Sequence, residues 1–157
     1  MKMIRFGIFV LLVALCAVSQ TPSVEKTGAS VSDREKLIGA WLLASMVGPD
    51  GKPITSVVPV GMLIYTGDGH MSVQLMYSKS QGSISNEYVQ NGYEASFGSY
   101  DVNLGTHTVT HHVHGSNTGD RLVGKDLPRV YQFNGRGQLV IKSARPDEHW
   151  SVIWEHY

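Results

Sequence analysis

One run in this chain carries a clean period of two. Met71, Val73, Leu75 and Tyr77 alternate with His70, Ser72, Gln74 and Met76. Successive side chains of an extended chain point to opposite faces, so this run reads as a half-buried β-strand. Gly67-Asp68-Gly69 precedes it, with residues 61–66 as the other arm of a hairpin. Further strands are predicted at 39–47, 97–103, 106–114, 129–134, 138–143 and 149–157, most of them separated by glycine-bearing turns. About eight consecutive strands can close into a barrel that either fills with side chains or holds one small ligand. The predicted fold is therefore all-β: a roughly eight-stranded antiparallel up-and-down barrel with a short helix or loop insertion. Ser85 or Asn86 can cap that helix, over 87–95. Pro53 and Pro59 argue against a central strand at 52–59.

Length and composition narrow the function classes. A chain of 157 residues suits one domain with a real core. Its formal net charge is zero and it has no basic stripe, which argues against a nucleic-acid partner. Residues 1–19 read as a signal peptide. Lys2 and Arg5 precede an apolar run of about a dozen residues, and Ala17 and Ser19 are the small residues a signal peptidase reads. That run is shorter than the ~20 residues of a spanning helix, so no transmembrane span is expected. Cleavage after Ser19 also removes the single cysteine and predicts a periplasmic or secreted protein. Val13-Ala14-Leu15-Cys16 is an imperfect lipoprotein box, and a lipid anchor at Cys16 is the disfavoured alternative. Residues 20–36 read as a flexible lead-in, with Ser32 or Asp33 capping a short helical turn through Leu37. Residues 37–157 form the barrel domain.

Several stretches then resemble the bacterial and fungal lipocalin-like domain family of the calycin group. They are Leu37-Ile38-Gly39-Ala40-Trp41-Leu42-Leu43-Ala44-Ser45, the segment 61–72, Phe97-Gly98-Ser99-Tyr100-Asp101-Val102, Val109-Thr110-His111-His112-Val113, and Val152-Ile153-Trp154-Glu155. They occur in one order over nearly all of the domain. The resemblance implies a barrel with a central cavity for a small apolar molecule, without implying a reaction. It casts Gly39, Trp41 and Trp154 as structural, with Trp41 plugging the closed end. The chain departs from the family at its close, where His156-Tyr157 replaces a common arginine. Arg129 or Arg145 is then the expected stacking partner of Trp41.

The histidine cluster at 107–114 is the densest candidate chemistry. Alternation puts His107, Val109, His111 and Val113 on one face, and the valines suggest that it points inward. His111 is thus a candidate cavity-lining donor or base. His112 and His114 share the other face, but no set of metal ligands is completed at fixed spacing, and no metal or cofactor is predicted. Tyr65, Tyr100 and Tyr131 combine an apolar body with a hydroxyl, and Arg129 can pair with a ligand carboxylate or brace the barrel. These five residues are the candidate ligand-binding set. Motifs of hydrolases, phosphate-binding loops and zinc proteases are absent. No catalytic residue is assigned beyond the weak candidate His111. The leading expectation is an exported binder of a small hydrophobic or amphipathic molecule. The alternatives are an isomerase or cyclase using the same cavity, and an interaction protein with a filled barrel.

Overall fold

The computed structural model describes residues 32–54, 59–77 and 85–157. The signal-peptide and Cys16 readings, and most of the lead-in, lie outside the described residues. Eight strands follow one another: β1 (Gly39–Val47), β2 (Val60–Tyr65), β3 (His70–Met76), β4 (Tyr93–Asn103), β5 (Thr108–Ser116), β6 (Asp126–Phe133), β7 (Leu139–Ser143) and β8 (Ser151–His156). Each pairs antiparallel with the next, and β8 returns to pair with β1, so the sheet closes into an up-and-down barrel. Closure leaves no sheet edge. No helix among the described residues is long and apolar enough to cross a membrane.

Period-two patterning sets which side chains enter. Met71, Val73 and Leu75 of β3 are buried, as are Val109, His111 and Val113 of β5, while Gln74 and His114 face out. Two irregularities bend the wall. The β1–β8 register shifts between Leu43 and Ser45, and the β4–β5 register shifts between Phe97 and Gly98. At Gly98 the wall is so tight that a Cβ would collide with the backbone carbonyl oxygen of His112.

One end is shut. Helix α1 (Asp33–Leu37) is held by a capping box, with the Glu35 N–H donating to Ser32 Oγ and the Ser32 N–H donating to Glu35 Oε2. It lays Leu37 over the base, fully buried, and the Leu37 carbonyl accepts the indole N–H of Trp41 at 2.8 Å. The His156 ring meets Trp41 edge-on at 4.7 Å between centroids, with the Phe133 ring farther off at 6.2 Å. This corrects the expectation of an arginine there. Arg129 stacks elsewhere, and Arg145 is tied to Glu87 and Glu148. Gly39 holds a φ of +143°, and a Cβ on it would run into the His156 ring.

The expected helix over 87–95 does not form. The Asn86 side chain does accept the N–H groups of Tyr88 and Val89, each at 2.8 Å, as a cap would. Asn91 and Gly92 then take positive φ and turn the chain through a Gln90–Tyr93 bridge. Glu94 and Ala95 find their backbone partners in β3, opposite Leu75 and Gln74. The interval between the strands predicted at 106–114 and 129–134 is also shorter, because β5 runs to Ser116 and β6 starts at Asp126. His107 leaves the predicted strand face. The Asn103 side chain accepts the N–H groups of Gly105 and Thr106, and His107 completes that turn at φ 49°.

Candidate ligand cavity

Above the plugged base the barrel encloses a cavity of about 350 Å³, within the range usual for small-molecule sites. Its walls are mainly apolar, with Leu63, Val73, Leu75, Ile141, Val152 and Trp154 contributed by four strands. Met46, Pro49, Ile54 and Leu122 line it nearer the mouth. A few polar groups interrupt this surface, chiefly His111, Arg129, Glu94 and Ser96.

His111 reaches the cavity by strand alternation and meets a tyrosine. Tyr65 Oη and His111 Nε2 lie 2.6 Å apart, both residues buried. Burial, reinforced by the positive charge of Arg129 and by His112, pushes the His111 imidazole down to about 3, so it is neutral near pH 7. With neutral imidazole, the Tyr65 hydroxyl donates to Nε2, and the ring proton sits on Nδ1. Burial also drives the Tyr65 hydroxyl well above the usual tyrosine range.

Of the five predicted ligand contacts, His111 and Arg129 line the cavity. Tyr65 shares the inward face of β2 with Leu63 but lies at its base end, opposite Gly39, with its ring 4.7 Å from that of Tyr100. The Tyr100 hydroxyl is spent on the Thr66 carbonyl at 2.8 Å, so the tyrosine that meets His111 is Tyr65. Tyr131 belongs to the base, packed on His107 and Phe133. Its hydroxyl has no partner among the described residues. Trp154, expected to be structural, does line the cavity, and its buried indole N–H likewise lacks a partner there.

Arg129 is only 6% exposed. Its guanidinium lies 5.3 Å from the Tyr88 ring centroid and 4.9 Å from that of Trp150, inside an aromatic clamp. Sequence reasoning missed Tyr88, Trp150 and Glu94 as cavity residues. Glu94 lies inside the expected helix, and only the β4 register turns it inward. Burial raises its carboxyl to about 7, with Arg129 opposing the shift.

On the outer face His112 bridges two carboxylates across the sheet, Asp126 at 2.6 Å and Asp101 at 3.0 Å, and these hydrogen bonds raise its pKa. Among the described residues no cluster of His, Cys, Asp or Glu is arranged to hold a metal ion.

Comparison with known proteins places this geometry. A family model described as a lipocalin-like domain matches residues 38–155. Among solved structures, a mutant of the fluorescent protein UnaG is similar at 13% identity and a TM-score of 0.41, covering 78% of this chain and 97% of that one. No curated protein matches the chain.

Proposed function

We propose that this chain, which belongs to the lipocalin-like domain family, binds a small hydrophobic or amphipathic molecule inside its barrel. The observation that carries this reading is the cavity of about 350 Å³, closed below by Trp41 and lined mostly by aliphatic side chains. Barrels of this strand number can instead fill with side chains, and the interior volume favours a ligand over a filled, purely structural barrel.

The catalytic alternative is weakened by the same site. General acid–base work is most efficient with groups that titrate near the operating pH. His111, at about 3, is too weak a base, and the buried Tyr65 hydroxyl too weak an acid. Their hydrogen bond is better suited to holding the wall in place.

Nile red, an uncharged dye that brightens in apolar surroundings, tests the proposal. It should bind with saturation, and Val73→Trp, which puts bulk into the cavity, should abolish the signal while the protein still melts cooperatively. Undiminished binding to the filled variant would place the dye outside the barrel.

The basic residues Lys2 and Arg5 before an apolar run support export of the protein to the periplasm or beyond. The mass of the mature N-terminus checks this. A chain beginning at Gln20 is expected, whereas an acylated Cys16 would make it a lipoprotein.

A further inference from the structure

The Arg129 clamp has an arrangement that an apolar ligand alone does not require. Buried cations are normally paired, yet among the described residues Arg129 forms no ion pair. Among the described residues its guanidinium donates a long hydrogen bond from Nη1 to the adjacent Pro128 carbonyl at 3.4 Å, and its side chain also reaches the Tyr88 hydroxyl. The acidic side chains at the mouth are committed to a different arginine. Arg145 donates to Glu87 at 2.9 Å and to Glu148 at 2.8 Å. Glu148 in turn accepts the Trp150 indole N–H at 2.9 Å and the Tyr88 hydroxyl at 3.4 Å. The outer network therefore orients the two aromatic rings and leaves the guanidinium between them with unused donors. A guanidinium has five N–H donors in a planar fork that matches a carboxylate.

Among the described residues, Glu94 is the one carboxyl that lines the same cavity. Arg129 faces it from β6, His111 from β5, Tyr77 from the end of β3 and Tyr88 from the segment before β4, with Ser96 on its own strand. His111 is neutral and the two tyrosines keep their protons, so Arg129 is the only charge acting on it from this lining. An anion seated on Arg129 would cancel that support and favour the neutral Glu94 carboxyl.

We propose that the ligand is an amphipathic carboxylate whose head group docks on Arg129 between Tyr88 and Trp150, and that binding draws a proton onto Glu94. The proposal rests on the cavity-binding reading above and adds the class of head group and its pH linkage. Glu94 passes from neutral to charged near pH 7 in the empty cavity, so affinity falls as the pH rises through that value.

Displacement of Nile red by decanoate and by decanol separates the two readings. Decanoate is expected to bind at least about tenfold more tightly than decanol, with its advantage shrinking from about pH 6 to about pH 8. The ratio of decanoate to decanol affinity should fall to about one in Arg129→Met, and Glu94→Gln should flatten the pH dependence of that ratio. Equal affinity for decanoate and decanol in the unmodified protein would overturn the head-group assignment and leave the cavity reading standing. A pH slope that survives in Glu94→Gln would overturn the proton uptake. Failure of Nile red itself to bind would remove both.

Discussion

The Tyr65–His111 pair shows how a single hydrogen bond disciplines an otherwise apolar wall. Tyr65→Phe leaves the buried Nε2 of His111 without a partner and should cost about 1–3 kcal/mol, seen as a fall of several degrees in melting temperature. His111 also sets a pH signature. Its folded pKa of about 3 lies below the unfolded 6.5, so its contribution is present above about pH 6.5 and is lost as pH falls toward 3. The slope reaches at most about 1.4 kcal/mol per pH unit. Denaturant melts at a series of pH values should show this slope in the native protein and not in His111→Gln. Glu94 acts with the opposite sign. Its folded pKa of about 7 lies above the unfolded 4.5, so the stability it contributes is present below about pH 4.5 and is lost as pH rises through about 7. Glu94→Gln should remove that second slope.

Strands and their turns were the legible part of the sequence, and the reasons are local. β1 runs from Gly39 to Val47 as expected, and the hairpin of β2 and β3 turns at Gly67-Asp68-Gly69. Period two and glycine turns are properties of neighbouring residues. Tyr65 and His111 are 46 positions apart, and no local pattern could announce their hydrogen bond. Glu94 was hidden for a related reason: an Asn cap and a polar stretch read as helix until the β3 ladder claimed it. His156 replaces the absent arginine at Trp41 because Gly39 has no Cβ to exclude its ring. The irregularity at Gly98 offers a test of this scale. Gly98→Ala drives a methyl group into the His112 carbonyl, and should cost at least about 1–3 kcal/mol by urea denaturation. An unchanged midpoint would mean that the β4–β5 wall can yield there. Loss of the α1 cap in Ser32→Ala should be milder, about 1 kcal/mol.

At the scale of the whole molecule, closure and hollowness divide the work. Trp41, Leu37 and His156 seal one end, and among the described residues Met46, Pro49, Leu122 and Trp150 line the cavity toward the other. In the proposed reading, the apolar wall supplies affinity and the Arg129 clamp the choice of head group. Sequence alone located the vessel and two of its cavity-lining residues, His111 and Arg129. The aromatic clamp and Glu94 needed the barrel to be closed before they could be seen together. The central claim is that the interior is occupied by a small molecule when the protein does its work. Native mass spectrometry of the protein purified from its own host tests it most directly. A non-covalent adduct of small-molecule mass is expected, released on denaturation and lost in Val73→Trp. A spectrum showing only the bare polypeptide, from protein whose interior also refuses Nile red, would contradict the account.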